Sequence, residues 1–443
     1  MPNTEATPLL EDELGDQWED DSVDYGLRNN PYLRYGIYAV CVLIGLPLIC
    51  FLVIYLPNEA PASEGISEIA VAAKSPVYLH PVLRPVRQET AEYQDADNDW
   101  TLKIHDPDDP IKKVPNVCKW QYLDNNSKLF NNHVQKLGKY YENARPVKRL
   151  ILIGDIHGSF KPLMRLLKRV KYNHEFDQIV MLGDFVAKGK RSMDVLDWAV
   201  QNDAGCILGN HEIEVLKRYV QYHGLSKLSY VGRHGKKENI TNLIDIKETY
   251  DLDDLMRIAK HMTPAHIKYL RECPLIQELG PVPHLTNRKQ TRYFPFPAEG
   301  YGAHAGLLWN FDHIEDQDPI AVTTMRNLLP PNWTESTEDR HDMIDGVKSQ
   351  PWTKHWNAKQ RKDVTTALNN STKGDSLTLG KKVYYGHDAH RGVTLREYSA
   401  GLDSGCVYGL ALSSEVIWAE VVTPKKGGKP FIAYRNQFVQ ENC

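Results

Sequence analysis

KRLILIGDIHG, residues 148–158, decides the fold. A basic pair leads into Leu150-Ile151-Leu152-Ile153, a continuous apolar run of the kind that is buried on both faces of a sheet. The run stops at Gly154, delivers Asp155 at once and His157 two residues later. The pattern recurs. DQIVMLGD (177–184) is a second apolar run ending in Gly-Asp, and AGCILGNHE (204–212) is a third, ending in Gly-Asn-His-Glu. Helical spacing lies between them, in Leu163 to Val170 and in SMDVLDWAVQ (192–201), and the third run opens into EIEVLKRYVQ (212–221). That β-α-β-α-β rhythm predicts an α/β fold. YGAHAGL (301–307), KKVYYGHDAH (381–390) and LDSGCVYGLAL (402–412) read as further short strands with turn residues. Residues 284–298 read as a hairpin insertion and the polar stretch 330–378 as a surface excursion. No internal repeat is visible.

Sites in α/β sheets assemble at the carboxyl ends of strands. There this chain presents Asp155 and His157, then Asp184, then Asn210, His211 and Glu212. Two later strand-like segments add His304 and His387, again beside glycines. A Gly-Asp turn alone is usually only a turn, and a lone histidine beside an apolar strand is usually a satisfied core residue. Five such clusters in order point to one site. Oxygen and imidazole donors without thiolates suit Zn²⁺, Mn²⁺ or Fe. Two ions about 4 Å apart need a bridging carboxylate, and such a pair serves in-line phosphoryl displacement.

The blocks GDIHG (154–158), GDFVAKG (183–189), GNHE (209–212), AHAG (303–306) and GHDAHRG (386–392) resemble, in order, the signatures of the calcineurin-like metallophosphoesterases, within them the PPP phosphatase superfamily. The resemblance covers roughly residues 147–423. GLDSGCVYGLALSS (401–414) is similar to the end of the bacterial-type members, which include the symmetrical diadenosine tetraphosphatases. The whole layout most resembles the membrane-anchored vacuolar endopolyphosphatases of this superfamily. The resemblance implies a four-layer αββα sandwich and two divalent metal ions, zinc first, with Mn, Co, Fe or Mg as alternatives. It implies that Asp155 and His157 hold one ion, that Asp184 bridges, and that Asn210, His304 and His387 hold the other. His211 would act as general acid or stabilise the leaving oxygen, and Glu212 would support the GNHE turn. A bridging hydroxide would attack phosphorus directly, hydrolysing phosphoanhydride bonds of inorganic polyphosphate without a phospho-enzyme. Dinucleoside polyphosphate hydrolysis and serine/threonine protein dephosphorylation are the enzyme alternatives. A catalytically silent, membrane-anchored polyanion binder is the alternative from another class.

One departure bears on the substrate. Where the protein-phosphatase relatives carry Asp-Arg, this chain has Ala187-Lys188. Ala187 cannot orient the catalytic histidine, and Lys188 keeps the charge but gives up the bidentate fork. A phosphoanhydride leaving group is a weak base and needs less acid assistance than a serine alkoxide. Lys188, Lys190 and Arg191 are then candidate point charges along a polyanion, and Arg391 in the GHDAHRG block is a further candidate phosphate contact.

The rest of the chain places this domain. The 443 residues carry a formal charge of −4, but residues 1–34 alone hold nine acids and two bases, leaving the remainder mildly basic. Tyr35 to Leu56 is apolar, with no charge between Arg34 and Glu59, long enough to cross a bilayer. Arg28 and Arg34 precede it and no Lys or Arg follows until Lys74, so the positive-inside rule puts the N-terminus in the cytosol. All N-x-[ST] sequons, at Asn125, Asn239, Asn332, Asn369 and Asn370, fall after the span. Glu5-Ala6-Thr7-Pro8-Leu9-Leu10 resembles an acidic dileucine signal for a sorting adaptor. The expected organisation is a cytosolic tail (1–34), a transmembrane helix (35–57), a luminal stem (58–145), a catalytic domain (146–423) and a C-terminal extension (424–443), in a vacuolar membrane. The seven cysteines form no CxxC or Cys/His zinc pattern. No basic stripe interleaved with aromatics signals nucleic acid.

Overall fold

The structure is a computed structural model and describes residues 31–50, 68–72, 74–79, 82–83, 101–106, 109–115, 145–147, 149–174, 177–223, 227–231, 237–239, 253–283, 297–369, 380–422 and 431–443. The chain divides into two compact units, Met1–Ala62 and Ser63–Cys443. In the first, α1 (Pro31–Cys50) is a 20-residue helix with Pro47 inside it. Its apolar side chains, among them Ile37, Leu43 and Ile44, are exposed. Among the described residues no helix is long and apolar enough to cross a membrane. The span expected over 35–57 continues into residues 51–57, which lie outside the described residues.

The second unit, after a strand at Glu68–Ala72, has β1 (Lys74–Leu79), β2 (Val82–Leu83) and, beyond a hairpin of Thr101–Asp106 with Asp109–Pro115, β3 (Arg145–Val147). The predicted alternation follows: β4 (Arg149–Ile153), α2 (Phe160–Arg169), β5 (Asp177–Met181), α3 (Ser192–Gln201), β6 (Gly205–Cys206) and α4 (Asn210–Tyr222). Then come α5 (Asp254–His261), α6 (Pro264–Glu272), β7 (Ile276–Val282), β8 (Ala298–Ala303), α7 (Pro319–Thr324), β9 (Asn327–Leu329) and β10 (Glu335–Thr337). Last are α8 (Trp352–Asn369), β11 (Lys381–Tyr385), β12 (Thr394–Leu395), β13 (Ser399–Gly401), β14 (Ala411–Val422) and β15 (Phe431–Asn442).

Strands β9 and β10 pair with each other in a separate small sheet, and most of the other strands make two larger ones. One runs β15-β14-β4-β5-β6, with β2 added beside β14, and the other runs β12-β13-β11-β8-β7-β1-β3. Strands β4, β5 and β6 are parallel, in a register that sets Ile151 opposite Ile179. The period of two along β4 shows how the sheets are covered. Leu150 and Leu152 join one core cluster with Val180, Leu279, Tyr384 and Leu402, contributed by both sheets. Ile151 and Ile153 join another with Leu163 and Leu167 of α2 and Val195 of α3. One face of β4 thus packs against the second sheet and the other against helices. All four of these β4 residues are fully buried, which is why the run carries no polar alternation.

Three stretches depart from expectation. The stem contributes to the domain, because β1 pairs with β7 and β2 with β14. The C-terminal extension supplies β15, which pairs with β14 from Ala411↔Asn442 to Val422↔Phe431. Its FIAYRNQFVQ, rich in aromatic and β-branched residues, buries Tyr434 and Val439. The excursion at 330–378 holds β10 and the 18-residue helix α8, with Trp352, Trp356 and Val364 buried at helical spacing. The hairpin insertion at 284–298 lies almost wholly outside the described residues. Disulfides join Cys206 to Cys273 and Cys406 to Cys443.

Candidate metal centre

Each predicted ligand stands on a turn that leaves the end of a strand. Asp155 and His157 follow β4, Asp184 follows β5, Asn210 opens α4, His304 follows β8 and His387 follows β11. The motif glycines permit close approach. Gly183 has φ 88°, and a Cβ there would overlap the His304 ring. A Cβ at Gly386 would overlap the Asp155 carboxylate. His157, Asp184, Ala187, Lys188 and His387 themselves sit in the left-handed region, a conformation that persists only where surrounding structure over-determines it.

The side chains converge in two groups, the first of which includes His211, expected as a catalytic group and not as a ligand. His157, Asp184 and His211 present ligand atoms within 4.8 Å of one another, and Asp184, His304 and His387 do the same, with Asp184 in both groups. The other ring nitrogens are committed. His157 Nδ1 donates to Val186 O at 3.2 Å, His304 Nδ1 to Leu182 O at 2.8 Å, and His387 Nε2 to Thr324 O at 2.9 Å. Such bonds fix the tautomer and turn the remaining nitrogen toward a metal. Asn210 Oδ1 lies 3.1 Å from His304 Nε2. Asp155 is 3.8 Å from His157 Nε2 and accepts from the His387 backbone N–H at 3.1 Å. The donor set is nitrogen and oxygen only, which fits zinc or a similar divalent ion.

The electrostatics agree with that use. Burial pulls the His157 pKa down to about 4, with Lys188 and His211 adding to the fall, so its ring is neutral and available as a ligand. Burial, then His304 and Arg326, hold His387 well below the usual histidine range. Burial, then Asp403 and Asp184, push the Asp155 carboxyl well above its usual range. Those crowded carboxylates are the environment a divalent cation relieves. For Asp184 burial opposes ionisation, but His304, His157 and His211 outweigh it and hold the pKa well below the usual range. The His211 backbone N–H, at the start of α4, also donates to Asp184 Oδ1 at 3.0 Å.

Glu212 braces the ligands through their backbone. It is fully buried and accepts from the backbone N–H groups of Asp184 (2.7 Å), Gly209 (2.9 Å) and Val186 (3.0 Å). It ties the Asp184 turn to the GNHE turn. Burial and the Asp184 charge push its pKa up to about 7 against those donors. His211 Nδ1 is buried with no hydrogen-bond partner, as the alanine at 187 leads one to expect.

A cavity of about 570 Å³ opens over these groups. Lys188 lines it, with Nζ 3.2 Å from His157 Nε2. The other predicted phosphate contacts do not. Lys190 is exposed elsewhere, and Arg191 makes two bonds to Asp194 and stacks its guanidinium 4.7 Å over Phe160. Arg391 is taken up by Asp388, Asn327 Oδ1 and Arg326 O. The cavity's arginines are instead Arg326 and Arg340, paired with Glu338 at 2.7 Å and Asp388 at 3.1 Å. Nothing in their local sequence marks them. Asp403, also on the cavity wall, was missed as well, although the conspicuous LDSG run around it is a signal that could have found it.

Residues 148–342 match the family described as calcineurin-like phosphoesterase. The zinc-dependent endopolyphosphatase of Saccharomyces cerevisiae is 24% identical over 339 residues, covering 75% of this chain and 88% of that protein. The symmetrical bis(5'-nucleosyl)-tetraphosphatase of Marinomonas sp. is 24% identical over 276 residues, covering 59% of this chain and 91% of that protein. Its counterpart in Erwinia tasmaniensis is 36% identical over 128 residues, 28% of this chain and 38% of its own length. Together with two His/Asp groups that share one buried aspartate, these matches identify a calcineurin-like metallophosphoesterase domain in this chain.

Proposed function

We propose that this metallophosphoesterase hydrolyses phosphoanhydride bonds inside inorganic polyphosphate, with two divalent ions, zinc first among them, held by Asp155, His157, Asp184, Asn210, His304 and His387. The observation that carries the reading is Asp184, shared by two ligand groups on the floor of a cavity whose walls add Lys188, Arg326 and Arg340. Bound metal supplies Lewis-acid charge to phosphoryl oxygens and lowers the pKa of water. The protein residues do the rest. Lys188, beside His157, and Arg326, beside His387, with Arg340, hold substrate charge at the cavity wall. His211 faces the site beside His157, ring centroids 5.1 Å apart, placed to stabilise a leaving oxygen. Its Nδ1 has no acceptor to orient it, which a phosphoanhydride leaving group tolerates and a serine alkoxide does not. The endopolyphosphatase relative supports the substrate assignment.

The test is incubation of the full chain with long-chain polyphosphate and, separately, a phosphopeptide, under Zn²⁺, Co²⁺, Mn²⁺ or Mg²⁺. Chains of intermediate length with little free phosphate, absent in Asp184→Asn, are expected. A clear preference for the phosphopeptide sinks the reading. A second reading has one observation behind it. Tyr408 and Leu410, 67% and 61% exposed on the cavity wall, offer an apolar surface of the kind on which a nucleobase rests. Dinucleoside polyphosphates are therefore the competing substrates to assay beside polyphosphate.

We further propose that the catalytic domain lies in the lumen of a vacuole, anchored by residues 35–57, with an adaptor reading Glu5–Leu10. The two disulfides are at home in an oxidising compartment, and the exposed apolar faces of α1 are compatible with a lipid partner. Protease protection of the C-terminal domain in intact vesicles, together with a glycosidase-sensitive mass, is the expected result. Digestion without detergent overturns it.

A further inference from the structure

His387 carries a metal-facing nitrogen on a strained backbone. Its φ is 67°, in a turn spanning residues 386–392. Left-handed conformations of non-glycine residues are strained and need outside support. Here the support is specific. Beyond the bond from His387 Nε2 to Thr324 O, Arg326 Nη2 donates to His387 O at 3.3 Å. Arg391 reaches back in the opposite direction, Nη1 to Arg326 O at 3.2 Å and Nη2 to Asn327 Oδ1 at 2.5 Å. Arg391 also pairs with Asp388, the residue next to the ligand, and Asp388 receives Arg340 from its other side at 3.1 Å. Asp388 is only 7% exposed. The guanidinium of Arg391 is therefore committed to protein acceptors on both arms.

We propose that Arg391 and Asp388 are positioning residues for His387. They bolt the 386–392 turn to the start of β9, so that His387 Nδ1 is held toward Asp184 and His304. Removing the bolt lets the turn relax out of its strained conformation, and one ligand of the second metal group is misplaced. Partners of this kind typically change metal affinity by about 10–100-fold when lost. The inference rests on the metal-centre reading and not on the choice of substrate. It can fail while polyphosphate cleavage stands, and stand while polyphosphate cleavage fails.

The experiment measures zinc bound by the metal-stripped full chain after dialysis against graded free zinc. His387→Ala marks which ion is lost when that group is broken. Arg391→Gln is expected to lose the same ion at about tenfold or more higher free zinc than the parent, while the other ion is unaffected. Arg391→Lys, able to keep one bond, should fall between. Excess zinc should restore kcat in Arg391→Gln with KM unchanged, which a generally destabilised protein would not show. If circular dichroism shows that Arg391→Gln does not fold, the isosteric Asp388→Asn decides, with a shift expected in the same ion. Unchanged zinc binding in the folded variant overturns the proposal. So does equal weakening of both ions, or a kcat loss that zinc does not restore.

Discussion

The floor of the cavity and its far wall are built by different means. On the floor the ligands leave strand ends in glycine-bearing motifs, and at His157, Asp184 and His387 a left-handed backbone sets the geometry. Part of the wall is made differently, by exposed or paired side chains: Arg326, Glu338 and Arg340 around β9 and β10, which no motif marks, and Tyr408 and Leu410 on a loop tied down by the Cys406–Cys443 disulfide. The contrast separates roles. Chemistry that demands sub-ångström placement rests on backbone turns and buried hydrogen bonds. Selection among anionic substrates rests on charges and surfaces that can be exchanged at little structural cost.

That division predicts a graded series. Asp184→Asn removes the carboxylate common to both ligand groups, and activity should fall by roughly a thousandfold or more. Retention of turnover within tenfold at saturating zinc would break the reading of the floor as a shared-ligand centre. The floor should also be sensitive to pH without its metal. His157 has a folded pKa of about 4 against an ordinary value of 6.5, so between these the unfolded chain binds the extra proton. The stabilisation is fully present above pH 6.5 and is lost as pH falls toward 4, by up to about 3 kcal/mol. Denaturant titrations of the metal-stripped protein at pH 7 and pH 4.5 read this, and His157→Asn should flatten the difference. Glu212→Gln leaves at least one of three buried backbone donors facing an amide N–H₂, costing about 1–3 kcal/mol of stability. A thermal midpoint unchanged from the parent would deny Glu212 its bracing role.

The wall should respond more mildly and through KM. Arg340→Ala is expected to raise KM for long-chain polyphosphate roughly fivefold, with kcat little changed, because its pair with Asp388 is partly solvated. Tyr408→Ala sharpens the choice of substrate. Polyphosphate KM should stay within about twofold, whereas a base-bearing substrate that stacks on this ring would lose about tenfold. If Arg340→Ala lowered kcat as strongly as Asp184→Asn does, floor and wall would not be separable.

Much of this was legible in residues 148–158 and their repeats. Continuous apolar runs such as Leu150–Ile153 announce strands covered on both faces, and the Gly-Asp, Gly-Asn-His and Gly-His endings announce ligands, because those turns need their glycines for close approach. Ala187 in place of an acceptor foretold the unpartnered Nδ1 of His211. Less was legible where polar composition concealed order. The 330–378 stretch reads as surface, yet Trp352 and Trp356 anchor a helix beneath it and Arg340 reaches the cavity from it.

By itself, then, the sequence determined the α/β alternation and the Asp, His and Asn clusters at the strand ends, because these depend on local turns and short spacings, while the six-ligand set and the bracing role of Glu212 came from the resemblance of its motif blocks to a known family. Only the tertiary structure decided which positive charges face the cavity. Arg191 and Arg391 look equivalent to Arg326 and Arg340 on paper, but Asp194 sits three residues from Arg191, and Asn327 meets Arg391 across 64 positions of chain. A long cationic side chain goes where its acceptor is, and that acceptor is brought near by folding.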